Sequence, residues 1–316
     1  MPTQEAVEVD WRRLVHRLNQ RYREEFDRAE RLQSQLDHIR GSRAWRILCW
    51  WRRFKQWLWP MREADRFLRE SREEFATCLP SQVSGTVSIL IPFRDRVELL
   101  RNALAGLRRT SYRKFEIILI DNGSTASRTL RLLNRLQGRR RIRIVKCPGA
   151  FNFSRLCNRG AGRARGDYLL FLNNDIEVGE PDWLERMLQV ARDPGVGVVG
   201  ATLLYPDGTL QHAGIFPAAS GEWRHAYRGL PGDLGGHQDE LRHIRCVPAV
   251  TGACLLIRRD RFRELGGFDE RLPVTLNDVD LCERVRRRGL LVAITPHARL
   301  IHYESLSRGY SSAENS

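Results

Sequence analysis

From Thr86 onward the chain alternates short apolar runs with longer stretches of helical periodicity. "TVSILIP", "FEIILID", "RIRIVKC" and "DYLLFL" predict four strands. Between them, Val97 to Arg109, Ser127 to Leu136 and residues 153–164 predict three helices. Strand and helix in strict alternation imply an α/β domain whose parallel sheet is covered by helices on both faces. Such sheets bind ligands at the carboxyl ends of their strands. Farther along, Ala253 to Ile257 predicts another apolar strand leading into a basic helix. "NDVDLCERVRRRG" predicts a last helix, with Leu281, Cys282 and Val285 inward, Asn277 or Asp278 at its start and Gly289 as its stop.

Residues 1–80 follow another pattern. Val15, Leu18, Tyr22, Ala29, Leu32, Leu36 and Ile39 fit a heptad seam that Glu25 interrupts, so residues 11–39 predict a helix able to self-associate. The next segment holds five of the eight tryptophans and six basic residues from Arg40 to Lys55, with no acid among them. Tryptophan and arginine on one helix suit either a membrane surface or packing against the main domain. Pro60 ends that helix, and residues 81–85 read as a linker to a domain spanning 86–316.

The strand ends carry the candidate chemistry. The first supplies Pro92, Arg94 and Asp95, the second Asp121 and Asn122, and the fourth Asn173, Asn174 and Asp175. Acids at the ends of apolar strands suit nucleotide hydrogen bonds and a metal on a diphosphate, although "DNGS" is also ordinary turn chemistry. Gly160, Gly162 and Gly166 are spaced G-x-G-x-x-x-G and lie between helix and strand, the reverse of a dinucleotide fingerprint. No phosphate-binding Walker loop is present either. Dehydrogenase and P-loop chemistry are therefore unsupported.

Charge and cysteine content narrow the partners. The 316 residues carry a net charge of +15, which favours an anionic partner: nucleic acid, anionic lipid or a phosphorylated substrate. No nucleic-acid-binding motif accompanies the charge, so nucleic acid is not expected. Seven cysteines without a CxxC pair read as buried thiols in a reducing compartment. Neither a signal peptide nor an apolar run of membrane-spanning length is visible, so a cytoplasmic protein, peripheral at the inner membrane face through residues 40–60, is expected.

"VSILIPFRD", "ILIDNGS", "LFLNNDIEV", "VTGACLLIRRDRF", "GGFDE", "NDVDLCER" and "HYESLSRG" occur in one order. That ordered set resembles family 2 glycosyltransferases of the GT-A fold, nearest to the rhamnosyltransferase-like and O-antigen-type enzymes of bacterial surface-polysaccharide assembly. The resemblance runs from about Thr86 to Gly309. It implies a Rossmann-like, mostly parallel sheet sandwiched by helices, here with an N-terminal helical extension.

The resemblance also implies roles. Asn173-Asn174-Asp175 stands where the family has its DxD metal motif, leaving Asp175 as the carboxylate ligand of Mn²⁺ or Mg²⁺, with His302 completing the shell. Asp278 stands at the catalytic base, Asn277 before it replacing an acid. Pro92, Arg94, Asp95, Asp121, Asn122, Asn158, Asn173, Asn174 and Gly252 would line the nucleotide-sugar site. His212, in "PDGTLQHAG", and Asn277 would border donor or acceptor. The implied reaction is inverting, metal-dependent transfer from a nucleotide-diphosphate sugar, UDP- or dTDP-linked, to a glycan or lipid-linked acceptor. The alternative is a catalytically weak scaffold subunit of a polysaccharide assembly complex.

Overall fold

A computed structural model describes residues 83–303 apart from 219–220, 234 and 237–240. The heptad seam and the tryptophan-rich segment lie outside the described residues. The predicted strands form β1 (Val87–Phe93), β2 (Phe115–Asp121), β3 (Ile142–Lys146) and β4 (Tyr168–Leu172). Helices α1 (Val97–Arg109), α2 (Ser127–Leu136) and α3 (Phe153–Ala161) connect them. Helix α3 ends three residues earlier than expected. Gly162, Arg163 and Ala164 continue as turns, each amide bonded only three or four residues back.

Next come β5 (Ile176–Val178), α4 (Trp183–Ala191), β6 (Val196–Leu204), β7 (Leu210–His212), β8 (Ile215–Pro217), β9 (Trp223–His225) and β10 (Arg245–Cys246). Strand β11 (Cys254–Arg258), α5 (Arg259–Glu264), α6 (Asn277–Arg287) and β12 (Leu291–His302) follow. The main path of the sheet runs β10-β12-β6-β11-β4-β1-β2-β3, while β8 and β9 form a separate hairpin.

The sheet is mostly parallel, as expected, and among its antiparallel strands β11 has the largest consequence for the site. Strand β11 runs antiparallel to both β4 and β6. Its amino end therefore lies beside the carboxyl end of β4, where Cys254 opposes Leu172. The residues just before β11 are thereby delivered to the ligand-binding edge.

Side chains sort by the two-residue period of a strand. Ile89, Ile91, Leu119 and Leu170 face one core, with Leu100 and Leu104 of α1 and Trp183 and Met187 of α4. Leu90, Ile118, Ile120, Leu169 and Phe171 face the other, with Leu156 of α3, Phe262 of α5 and Leu281 and Val285 of α6. Burial on both faces is why β1 and β4 are apolar along their length.

Two of the three glycines that fail the dinucleotide test, Gly160 and Gly166, have packing roles instead. A Cβ on Gly166 would lie 2.6 Å from the Ser88 amide nitrogen, and one on Gly160 2.5 Å from the Ile120 side chain. Gly162 has φ of −64°, and its Cβ would meet only ordinary contacts at 3.6 Å. Gly166→Ala should therefore cost about 1–3 kcal/mol by forcing backbone apart. Gly162→Ala should be neutral or gain a few tenths of a kcal/mol. Urea denaturation of both variants checks the contrast, and equal effects would refute it.

Candidate active site

The carboxyl ends of β1 and β2 form one rigid unit. Asp121 at the end of β2 accepts from the Ser124 amide at 2.8 Å, so its carboxylate closes the turn that "DNGS" suggested. Asp95, after β1, accepts from the amides of Thr125 (3.0 Å) and Ala126 (2.8 Å), and its own amide donates to Ser124 Oγ at 2.8 Å. Helix α2 has alanine at its N-cap, so Asp95 meets from another loop a need that no local side chain fills. These bonds hold Asp95 and Arg96 in the left-handed region, at φ 53° and 48°. Asn122 is buried, with its amide group turned to the carbonyls of Cys147 and Gly149. Pro92 is buried within β1, whereas Arg94 is exposed beyond it.

Asn173, Asn174 and Asp175 make the turn between β4 and β5. Strand β5 pairs antiparallel with the end of β12, His302 opposite Ile176. That pairing sets His302 Nε2 3.2 Å from Asp175 Oδ1 and 3.5 Å from Asn173 Nδ2. Asp175 and His302 are only 3% and 6% exposed. His302 Nδ1 and Asn174 Nδ2 are buried without a hydrogen-bond partner among the described residues.

The turn is tied to the segment before β11. The Asn173 amide donates to the Ala253 carbonyl at 2.9 Å, and the neighbouring Gly252 amide donates to Asp278 Oδ2 at 2.9 Å. Asp278 is half-buried on the first turn of α6. Its Oδ1 accepts from the Val279 amide at 2.9 Å, so both carboxylate oxygens are bonded to backbone, but neither it nor Asn277 is the N-cap residue. The N-cap is Leu276, held left-handed at φ 62°, whose own side chain makes no capping bond. Asn277 is buried and donates to the Leu272 carbonyl at 3.3 Å. Asp280, two residues beyond the base candidate, pairs instead with Arg284 at 2.6 Å. Gly252 sits against the Phe153 ring, which a Cβ would approach to 3.2 Å.

Asn158 on α3 has a bracing position. Its amide donates to the Phe268 carbonyl (2.9 Å) and to Glu270 (3.1 Å), and its oxygen accepts from the Phe268 amide at 2.9 Å. It thereby fixes the "GGFDE" loop that leads into α6.

His212 lies on β7 rather than in a loop and is fully buried. The Thr251 amide donates to its Nε2 at 3.3 Å, which places the ring proton on Nδ1. Nδ1 in turn faces His225 Nδ1 at 3.1 Å. Burial foremost, then the nearby His225, His302 and Arg245, hold the His212 pKa well below its ordinary value. Thr251 and His225 were not singled out from sequence. "QHAG" marked one half of the pair, but no spacing rule links it to a histidine across a hairpin.

These features define the class. A sheet with a ligand edge, an acid turn at the end of β4 and an acid on α6 is the arrangement that the resemblance to family 2 glycosyltransferases implies. The model of glycosyl transferase family 2 matches residues 88–265, and the chain belongs to that family. Relatives include the O-antigen biosynthesis protein RfbC of Myxococcus xanthus, 42% identical over 230 residues. That match covers 72% of this chain but only 18% of RfbC. The N-acetylglucosaminyl-diphospho-decaprenol L-rhamnosyltransferase of Mycobacterium tuberculosis is 28% identical, over 68% of this chain and 75% of its own. Among solved structures, GalNAc-T7 with UDP, GalNAc and Mn²⁺ superposes with a TM-score of 0.58 at 19% identity, covering 71% of this chain and 44% of its own. The fold is GT-A.

A histidine buried neutral makes a pH signature. Its folded pKa lies below the unfolded value of about 6.5, so the unfolded chain binds more protons beneath that pH. The associated stability is complete above about pH 6.5 and declines as pH falls towards the folded pKa, by at most about 1.4 kcal/mol per pH unit. His212→Gln keeps an acceptor facing Thr251 and cannot titrate. Its melting temperature should fall less than that of the parent between about pH 6.5 and pH 5, as read by calorimetry. Parallel curves would remove His212 from this account.

Proposed function

We propose that the protein is an inverting glycosyltransferase that moves a sugar from a nucleotide-diphosphate donor, UDP- or dTDP-linked, to a glycan or lipid-linked acceptor. The observation that carries the reading is the position of Asp278. Its carboxylate is half-exposed at the ligand edge and fixed by the backbone amides of Gly252 and Val279, each at 2.9 Å, and no ion pair engages it among the described residues. In the reaction, Asp278 takes the proton from the acceptor hydroxyl as that oxygen bonds to the anomeric carbon. The bond from that carbon to the diphosphate breaks, and the nucleoside diphosphate leaves from the opposite face. The transition state has oxocarbenium character. The Gly252 amide orients the base, and the turn clamped by Asp95 would receive the nucleoside.

Asp175 and His302 suit a divalent cation. One hard oxygen and one imidazole nitrogen stand 3.2 Å apart, both buried. Neighbouring corners of an octahedron with bonds of about 2.1 Å are separated by about 3 Å. The imidazole favours Mn²⁺ over Mg²⁺. When bound, the cation would supply charge stabilisation to the departing diphosphate. GalNAc-T7, solved with UDP and Mn²⁺, shares the fold and supports this assignment.

No helix among the described residues is long and apolar enough to cross a membrane. Peripheral attachment through residues 40–60 and self-association through residues 11–39 belong to the same proposal, as does a cytoplasmic location at the inner membrane face.

Two substitutions test the chemistry. Asp278→Asn keeps an acceptor for only one of the Gly252 and Val279 amides, so stability should fall by about 1–3 kcal/mol while donor affinity holds and turnover falls by about 10²- to 10⁴-fold. Asp280→Asn loses only the pairing with Arg284, worth about 0.3–0.5 kcal/mol on a helix, and should stay active. Turnover at saturating donor decides, and an active Asp278→Asn refutes the base. Separately, Asp175→Ala should abolish metal-dependent donor binding by calorimetry with Mn²⁺. Parental binding would refute the metal assignment.

A further inference from the structure

The net charge of +15 has an obvious counterpart in an anionic donor, yet the structure collects the excess elsewhere. Loops at the ligand edge (94–96, 121–126, 147–152, 173–175, 205–209 and 247–253) hold two arginines and four aspartates. The opposite edge is formed by the amino ends of β1, β2, β3, β4, β6 and β12 together with the carboxyl end of β11. Three loops there, 137–141, 162–167 and 286–290, hold eight arginines and a single carboxylate, Asp167. Asp167 is engaged by Thr86, whose amide and hydroxyl donate to it at 2.7 and 2.9 Å.

Two ordinary explanations do not absorb this charge. Helices α1 to α4 and α6 all end at this edge, but each end carries only about half a negative charge. Hydrogen bonding does not neutralise it either, because several acceptors are uncharged carbonyls. Arg143 donates to the Arg163 carbonyl, Arg259 to that of Gly166 at 2.6 Å, and Arg288 to that of Glu264 at 3.2 Å. Carboxylate pairs do occur nearby, Arg258 with Asp260 and Arg287 with Glu283. Among the described residues the arginines of loops 137–141 and 162–167 form no carboxylate pair, and the neighbouring Arg143 of β3 reaches Glu116 only at 3.5 Å.

We propose that this amino-end edge docks on an anionic phospholipid surface, leaving the ligand edge pointed away from the bilayer. Seven strands at about 4.8 Å spacing make a row about 29 Å wide, broad enough to set many charges against a plane. The three loops contain no aromatic residue on which a nucleic-acid base could stack. The described chain also reaches β1 at this edge, through Val83 and Thr86. Farther upstream in sequence, beyond residues 60–82, stand Trp45, Trp50, Trp51, Trp57 and Trp59 among basic residues. A polybasic face joined to a tryptophan-rich stretch combines the two signals that hold proteins at anionic lipid.

The test is independent of transfer activity. Full-length protein is sedimented with phosphatidylcholine vesicles with and without phosphatidylglycerol. The parent should bind only the anionic vesicles, more weakly as salt rises. Arg139→Gln/Arg140→Gln/Arg141→Gln, with its melting temperature unchanged, should lose roughly 100-fold in partitioning. Arg163→Gln/Arg165→Gln, with two charges removed, guards against a folding defect in the first variant and should lose roughly 25-fold. Arg224→Gln, on the β8–β9 hairpin, should bind like the parent. If the folded variants of the arginine edge sediment like the parent, the docking face is wrong. Failure of the parent to bind anionic vesicles overturns the proposal as well, and binding to duplex DNA instead would reassign the face to nucleic acid.

Discussion

The sheet is buried on both faces, and that constraint decides where polarity can appear. With Leu90, Ile91, Leu170 and Phe171 all sealed between helices, a charged side chain has no place along these strands except at their ends. Chemistry is thus confined to two edges. The reversed β11 then brings Thr251 and Gly252 to the edge that already holds the β4 turn. From there the Gly252 amide reaches Asp278, and the Asn173 amide reaches the Ala253 carbonyl. Acids separated by about a hundred residues are joined through backbone rather than through side chains, which makes their spacing stiff.

Much of this was legible in the sequence because double burial writes long apolar runs. The bounds of α1 and α2 and the existence of β1 to β4 followed from pattern alone. The direction of β11 did not, since "CLLIR" is equally apolar whichever way it runs. The first residue of α6 was legible, but its cap was not. Asn277 and Asp278 are favoured capping residues, yet the cap is Leu276, a residue that resists the left-handed conformation it adopts. Local preference is overridden there, and Asp278 bonds the amides of Val279 and Gly252 instead.

Pairings across long separations were the least legible. Asp175 and His302 could be suspected only by resemblance, and the structure makes them neighbours through a three-residue strand, β5. The contact of His212 with His225 depends on how a short hairpin folds back. Charge was legible as a total but not as a distribution. Composition announced an anionic partner, whereas topology separates the arginine-rich edge from the one where the sugar nucleotide is proposed to bind.

The clamp between the β1 and β2 loops has an evolutionary corollary. The Asp95 carboxylate accepts from the amides of Thr125 and Ala126, and its own amide donates to the Ser124 hydroxyl oxygen. Losing either partner alone strands buried or strained backbone, while losing both together lets the two loops settle into another shape. Across descendants of this chain, positions 95 and 124 should therefore co-vary. A lineage that reshapes this edge would do so by paired substitution at these two loops, not by drifting one residue at a time.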